Sequence, residues 1–269
     1  MSFKPLALVT ILILVSIQLS AEWKNLEPGL DLGTFKIRDS DKGLQANINI
    51  LRIDPDFFKF RLLNASAPGN GTMLSVKQWC LNNGLVAAIN ASMYRTDYRT
   101  SVSYMRTKNH INNPYLSKDK SILAFDSQEP GIPEIRIIDR ECEEFSGLKE
   151  RYATFVQSIR MISCKGRNVW RQQLQKWSIA AIGTDKSGNI LFIHSREPNS
   201  THDFINFLLL LPLNINRAMY AEGGPEAQMY ILSSGGEFEF AGVSENYPSA
   251  IGFGVESLPI PNVIGIARK

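Results

Sequence analysis

The sequence predicts a single α+β domain in which a mixed, strand-rich sheet packs against two main helices. Strand-like runs follow one another closely from residue 46 onward, and only two segments carry both start and stop signals of a helix. No internal repeat or long linker divides the chain. With 44% hydrophobic and 20% charged residues among 269, the composition is that of a folded domain and excludes disordered, collagen-like and coiled-coil proteins.

The strands are predicted from apolar or alternating runs bounded by turn residues. Residues 46–53 and 57–63 flank a turn, and the unbroken apolar run 85–90 indicates a buried central strand. Further strands are predicted at residues 121–125, 134–138, 155–162, 178–184, 190–194, 217–221, 228–232 and 263–267.

Both main helices have recognisable ends. One is predicted over residues 75–83 and ends at Gly84. The other is predicted over residues 204–211, after a capping box at residues 200–203 and before Pro212.

The N-terminus is typical of a secretory signal. Lys4 precedes an apolar stretch over residues 6–17, and small residues end at Ala21, where cleavage is expected. The alternative is an uncleaved membrane anchor, although the stretch is shorter than the roughly 20 residues needed to span a bilayer. The predicted division is a signal over 1–21, an N-terminal extension over 22–44 and a functional domain over 45–269. An exported protein is expected, periplasmic or secreted, with no stable membrane insertion after cleavage.

The net charge bears on the binding partners of the protein, and the cysteines bear on its disulfide bonding. The formal charge is 29 − 26 = +3, which gives no electrostatic reason to expect nucleic acid. In an oxidising compartment Cys142 and Cys164 are the plausible disulfide pair, whereas Cys80 reads as a buried free thiol on a helix. Nothing in the sequence indicates an oligomeric state.

The most unusual local sequence is Glu222 followed by Gly223 and Gly224. Paired glycines let a backbone approach a ligand closely, and a carboxylate at a strand end can project into a cleft. The alternative is an ordinary hairpin with a solvated glutamate.

Other strand ends add candidate polar groups. Arg160 is informative, because a guanidinium in an apolar strand needs an anionic partner from the protein or from a ligand. His194 is more typical of a core histidine than of a catalyst. The remaining candidates are Asn90, Gln157, Ser158 and Asp185.

Metal and cofactor chemistry are not indicated. The three histidines are scattered without zinc-ligand spacing, and neither a P-loop nor a dinucleotide-binding glycine motif is present. No metal or cofactor is therefore predicted.

In order, these segments resemble the phosphodiester glycosidase family, which includes the lysosomal uncovering enzyme and many bacterial exported proteins. The resemblance runs over roughly residues 45–268 and suggests a divergent, bacterial-type member. Its motifs match residues 88–94 (Ala-Ile-Asn-Ala-Ser-Met-Tyr), 155–158 (Phe-Val-Gln-Ser), 181–185 (Ala-Ile-Gly-Thr-Asp), 222–226 (Glu-Gly-Gly-Pro-Glu) and 261–265 (Pro-Asn-Val-Ile-Gly).

The resemblance implies hydrolysis of a sugar-1-phosphodiester, with a phosphorylated or glycan substrate. Glu222 would serve as acid/base or charge stabiliser, Arg160 would hold the phosphate, and His194 is a weaker candidate for proton transfer. The implied substrate-binding residues are Asn90, Tyr94, Gln157, Ser158, Asp185, Gly223 and Gly224.

Three departures from the family pattern concern substrate more than fold. Glu222 stands where the family usually has Asp, Ile159 and Arg160 replace a common Gly-Pro, and a frequent arginine before residue 181 is absent. The alternative function is therefore a non-catalytic module on the same fold that binds glycan or the cell envelope.

Overall fold

Strands are the main secondary structure of the residues that the structure describes. The computed structural model describes residues 17–41, 43–243 and 257–269. The described strands are β1 (Ile17–Glu27), β2 (Leu30–Asp39), β3 (Leu44–Ile53), β4 (Phe58–Asn64), β5 (Ala87–Asn90), β6 (Met105–Arg106), β7 (Ile111–Asn113), β8 (Ser121–Ser127), β9 (Ile135–Asp139), β10 (Tyr152–Ser158), β11 (Arg160–Ile162), β12 (Trp177–Asp185), β13 (Ile190–Asn199), β14 (Ile215–Gly223), β15 (Gln228–Ser233), β16 (Gly236–Ala241) and β17 (Asn262–Arg268). The helices are α1 (Val76–Asn83), α2 (Ser146–Lys149) and α3 (Thr201–Leu210), with a 3₁₀ turn at Gly224–Glu226.

These strands form three sheets. A seven-stranded sheet has the order β1-β2-β3-β13-β12-β14-β11, and two five-stranded sheets have the orders β7-β6-β10-β8-β9 and β16-β15-β5-β17-β4. Every strand pair within the described ranges is antiparallel. The α+β class is confirmed, and the strands expected in one mixed sheet are distributed over three antiparallel ones.

The main core lies where the three sheets face one another. It joins Phe192 of the seven-stranded sheet to Met229 and Val156 of the two smaller ones. Helix α3 covers the other face of the large sheet through Phe204, and α1 covers the β5 sheet through Trp79. Each such side chain contributes about 1.5–3 kcal/mol by leaving water.

The helix ends follow the predicted signals. Ser75 caps α1 by accepting from the Gln78 backbone N–H, and Gly84 ends the helix at φ 61°. Ser200 caps α3 by accepting from the Asp203 N–H. Since Ser200 is itself the N-cap, α3 starts at Thr201, three residues earlier than predicted.

The predicted strand over residues 155–162 is two strands in different sheets. β10 pairs with β8, whereas β11 pairs with β14 through Arg160 and Met219. The chain thus crosses between sheets at Ile159, and this crossing places Arg160 beside β14.

The segment predicted as an N-terminal extension contains sheet structure. β2 pairs along its whole length with β3, and Leu30 and Phe35 are fully buried. β1 runs through the predicted cleavage position after Ala21, and residues 1–16 of the predicted signal lie outside the described residues. Among the helices of the described ranges, none combines the length and apolar character that crossing a membrane requires.

The cysteine predictions are confirmed. Cys142 and Cys164 form a disulfide with their Cα atoms 6.6 Å apart, which joins the turn after β9 to the end of β11. Cys80 is buried and free on α1, and desolvation raises the pKa of its thiol. A buried thiol of this kind is unreactive.

Candidate active site

Glu222 lies at the end of β14, just after an irregularity in the strand. Ala181 pairs with Tyr220 and Ala180 pairs with Glu222, so that Ala221 is an extra residue on β14. Such β-bulges turn a side chain out of the regular alternation and are frequent beside active sites. The bulge sets the direction of the Glu222 carboxyl, which is partly buried.

The environment of Glu222 favours its protonated form. Desolvation and, to a smaller extent, the negative charge of Glu226 raise the pKa of Glu222 to about 8, against a hydrogen bond from the Gly223 N–H that lowers it. That N–H donates to Glu222 Oε1 over 3.0 Å. A carboxyl group that keeps its proton at neutral pH is suited to act as a general acid.

The two glycines after Glu222 are needed for different reasons. Gly224 has φ +70°, a left-handed conformation that glycine adopts without strain. At Gly223 a Cβ would overlap the Tyr220 hydroxyl and lie 2.9 Å from Trp177 Cδ1. The turn therefore lets two aromatic side chains contact the backbone directly after the carboxylate.

Aromatic side chains border Glu222. Desolvation, followed by the charges of Glu222 and Glu226, raises the pKa of Tyr94. Desolvation and the charge of Glu222 likewise raise the pKa of Tyr220. Both phenols thus lie close to the carboxylates.

Further rings extend these two phenols. The ring of Trp170 is 5.4 Å from that of Tyr220, and Tyr98 is 5.9 Å from Tyr94, centroid to centroid. The Trp177 indole lies beside the Tyr220 hydroxyl, and its side-chain hydrogen bond lowers the pKa of Tyr220 against the larger effect of desolvation.

Asn90 holds the turn that carries Glu226. Its Nδ2 donates to the Glu226 carbonyl over 2.9 Å, and its Oδ1 accepts from the Gln228 N–H over 2.7 Å. Asn90 is 2% exposed, so its amide fixes the 3₁₀ turn from the end of β5.

His194 lies in the same row of the seven-stranded sheet as Glu222. Ala180 pairs with His194 on one side and with Glu222 on the other, which places the two Cα atoms about 9–10 Å apart on one face. His194 is fully buried, and desolvation lowers its pKa to about 4. The ring is therefore neutral at physiological pH.

The contact of His194 is with the backbone after Glu226. Its Nε2 lies 3.1 Å from the Ala227 carbonyl oxygen, and a carbonyl only accepts, so Nε2 carries the proton. His194 supports the turn that carries Glu226 in this structure.

Arg160 pairs with a carboxylate of the protein. Its Nη1 lies 2.8 and 3.0 Å from the two oxygens of Asp139, which is 1% exposed. Burial alone would raise the pKa of Asp139, but hydrogen bonds from the Cys164 and Glu141 N–H groups and from Arg160 lower it below its usual value. The expected anionic partner of the Arg160 guanidinium is thus Asp139.

The remaining predicted residues serve the chain itself or lie elsewhere. Gln157 is fully buried, and its amide bonds four backbone groups, at Tyr104, at Ser117 (two) and at Asp119. Ser158 is buried beside it. Asp185 closes the hairpin before β13 at the far end of β12, about 17 Å along the strand from Ala180.

Several residues of the site were not singled out from the sequence. Glu226 could have been chosen from the repeated carboxylate four residues after Glu222. Tyr220, Trp170 and Trp177 come together only through folding, and no local pattern marks them.

Known proteins of similar structure share this architecture. The catalytic domain of zebrafish N-acetylglucosamine-1-phosphodiester alpha-N-acetylglucosaminidase, auto-inhibited by its pro-peptide, superposes with a TM-score of 0.66 at 14% identity, over 95% of this chain and 89% of that one. A hypothetical protein from Synechocystis gives 0.61 at 14% identity, over 92% and 63%. A Burkholderia pseudomallei protein described as exported gives 0.59 at 8% identity, over 93% and 96%.

Sequence comparison gives the family. No curated protein matches the chain. The sequence profile of the phosphodiester glycosidases matches residues 83–267, which include the strands that carry Asn90, His194 and Glu222. The chain belongs to the phosphodiester glycosidase family.

Proposed function

We propose that the protein hydrolyses a sugar-1-phosphodiester, releasing the sugar and leaving a phosphomonoester. The observation that carries this proposal is the Glu222 carboxyl beside the bulge at the end of β14, where burial raises its pKa to about 8 and where its charge and that of Glu226 act on the phenols of Tyr94 and Tyr220. Two carboxyl groups in different protonation states are the usual apparatus of glycoside hydrolysis.

In the proposed reaction Glu222 donates its proton to the phosphate oxygen as the bond from that oxygen to C1 breaks. Water attacks C1, and Glu226 accepts the proton that the water loses. The negative charge of Glu226 also stabilises the positive charge that develops on the sugar ring. The sugar and the phosphomonoester then leave as separate products.

The surrounding residues would orient the substrate. Tyr94 and Tyr220 offer ring faces and hydroxyl groups, and the Trp177 indole lies beside the Tyr220 hydroxyl. Asn90 and His194 act through the turn that carries Glu226. Arg160 could contact the phosphate only through donors other than the Nη1 atom that bonds Asp139.

The test is hydrolysis of a panel of sugar-1-phosphodiesters by the wild type and by Glu222→Gln. We expect the wild type to release free sugar and the variant to lose at least about 100-fold in kcat, as removal of a general acid does. Glu150→Gln, at an exposed carboxylate, is the matched control and should behave as the wild type. Equal turnover by Glu222→Gln, or none by any of the three proteins, contradicts the proposal.

One observation favours a second function, a glycan-binding or envelope-binding module. Arg160, the residue predicted to bind the phosphate, forms an ion pair with Asp139, and its positive charge is therefore already partly neutralised. Saturable binding of the same diesters by the wild type, without release of sugar at any pH between 5 and 9, would assign the chain to this class.

We also propose that the protein is exported, to the periplasm or the medium. The disulfide between Cys142 and Cys164 and the apolar N-terminus support this location. Fractionation followed by N-terminal sequencing should find a mature chain that starts at Glu22. A full-length chain in the cytosol would contradict export.

A further inference from the structure

One surface loop carries a local concentration of positive charge. Residues 163–176, between β11 and β12, include four basic side chains and no acidic one, and we call them the basic loop. The whole chain has a formal charge of +3, so the rest of it sums to 3 − 4 = −1. The four basic side chains are Lys165, Arg167, Arg171 and Lys176.

These four cations are available to an external anion. All four residues are exposed, and within the described part of the chain none of them forms an ion pair. Arg160 on β11 and Arg217 on β14 differ, since they pair with Asp139 and Glu143 respectively. The acidic groups that contact the basic loop do so through neutral donors: Asp139 accepts from the Cys164 N–H, and Asp203 accepts from the amide of Gln172.

The basic loop is held in place at several points. The Cys142–Cys164 disulfide fixes its start. Asn168 donates to the His202 carbonyl, and His202 Nδ1 contacts the Trp170 carbonyl over 2.7 Å. A charged loop that is already ordered loses little entropy when it binds a ligand.

The basic loop also extends to the proposed active site. Trp170 lies within the loop and its ring packs 5.4 Å from that of Tyr220. Trp177 follows the loop directly and contacts Gly223, the residue after Glu222. An anionic chain lying on the loop would therefore lead towards Glu222.

We propose that the basic loop binds the anionic chain of a polymeric substrate, in which phosphodiester groups repeat and one sugar-1-phosphodiester occupies the site at Glu222. This inference rests on the proposed function and names its substrate class. A small diester carries a single negative charge, which four spaced cations do not match. A chain with a charge at every repeat contacts several of them at once.

An anionic lipid surface is the competing partner. Leu174 is 93% exposed within the basic loop and could enter a membrane interface. The polymer is favoured because the loop is continuous with the aromatic residues around Glu222, where a bound chain would be cleaved.

The test uses the full chain with Lys165, Arg167, Arg171 and Lys176 replaced by Gln. The control replaces four exposed lysines elsewhere by Gln, which lowers net charge equally: Lys36, Lys59, Lys186 and Lys269. The substrates are an alkyl sugar-1-phosphodiester and an oligomer of about six sugar-1-phosphate repeats. With the oligomer, we expect the basic-loop variant to have a KM at least about tenfold higher than the wild type and an unchanged kcat. The control variant should match the wild type in both constants. For the small diester KM should stay the same in all three proteins.

A binding measurement separates this inference from the proposed function. Calorimetry measures the affinity for the oligomer of two proteins, Glu222→Gln alone and Glu222→Gln with the four basic-loop substitutions. Because neither protein is expected to turn over the oligomer, the difference in affinity is due to the loop. If no diester is hydrolysed but the loop variant loses oligomer binding, the proposed function fails, and the part of the inference that stands is that the basic loop binds an anionic chain. Equal oligomer affinity in the loop variant and the control overturns the inference. Tighter binding to anionic lipid vesicles than to the oligomer, lost in the loop variant, overturns it in favour of a membrane.

Discussion

Glu222 and Glu226 stand at the two ends of one glycine-rich turn, where the carboxylate charge of Glu226 adds to the desolvation that raises the pKa of Glu222 to about 8. Asn90 fixes the turn from β5 and His194 supports it from β13. The position of Glu226 relative to Glu222 is thus held by contacts from β5 and β13, strands of two different sheets.

The first prediction concerns the pH dependence of activity. Because a general acid must hold its proton, kcat/KM should fall tenfold per pH unit above a pKa of about 8. Initial rates between pH 5 and 10 on a small diester check this. A rate that keeps rising through pH 9 would rule out Glu222 as the acid.

The second prediction separates the charge of Glu226 from burial. Glu226→Gln removes one cause of the raised pKa of Glu222, so the carboxyl resonance of Glu222 should titrate at lower pH, but still above 4.5 because desolvation remains. Carbon NMR of the labelled carboxyl measures this whether or not the variant is active. Glu150→Gln, at an exposed site, serves as the control. An unchanged Glu222 titration in Glu226→Gln would show that the charge of Glu226 does not raise the pKa of Glu222.

The third prediction concerns stability. The folded pKa of Glu222 is raised, so its contribution to the free energy of unfolding is fully present below pH 4.5 and is lost as pH rises through about 8. Glu222→Gln has no such loss. At pH 9 the variant should therefore unfold at a higher urea concentration than the wild type, with the gap closing towards pH 4.5. If stability depends on pH in the same way in both proteins, folding does not raise the pKa of Glu222.

How far the sequence predicts this fold depends on how local each signal is. Helix α1 was predicted because Ser75 and Gly84 act on backbone groups within a few residues of themselves. The short strands β6 and β7 have two and three residues and carry no detectable period, so only their pairing defines them.

The site follows the same rule. Glu222 was found because a carboxylate and two glycines are adjacent in sequence. Its aromatic neighbour Tyr220 packs against Trp170, which lies 50 residues earlier in the sequence, and no local pattern predicts that contact. For Arg160 the need for an anion was predictable, but the choice between a ligand and Asp139 was settled by the chain crossing between sheets.

The fourth prediction uses the close contact at Gly223. A Cβ there would overlap the Tyr220 hydroxyl and crowd Trp177, so Gly223→Ala should displace both rings and raise KM at least roughly tenfold. Gly147→Ala is the matched control, since Gly147 also lacks a left-handed φ but has no atom within 4 Å of an added Cβ, and it should leave KM unchanged. Indole fluorescence reports whether Trp177 moves. Unaltered kinetics in Gly223→Ala would show that these rings do not contact substrate.

The fifth prediction distinguishes two roles for His194. Its pKa of about 4 lies below the ordinary 6.5, so the stability present above pH 6.5 should fall by about 3 kcal/mol as pH drops to 4. In His194→Gln the side-chain amide can still donate to the Ala227 carbonyl but does not titrate. If His194 positions the turn, His194→Gln keeps most of its activity and loses the acid sensitivity between pH 6.5 and 4.

His194→Leu is the contrasting variant, because it leaves the Ala227 carbonyl without the hydrogen bond that His194 donates. It should lose stability and activity together. A His194→Gln protein that folds normally but has lost turnover would instead assign proton transfer to the ring.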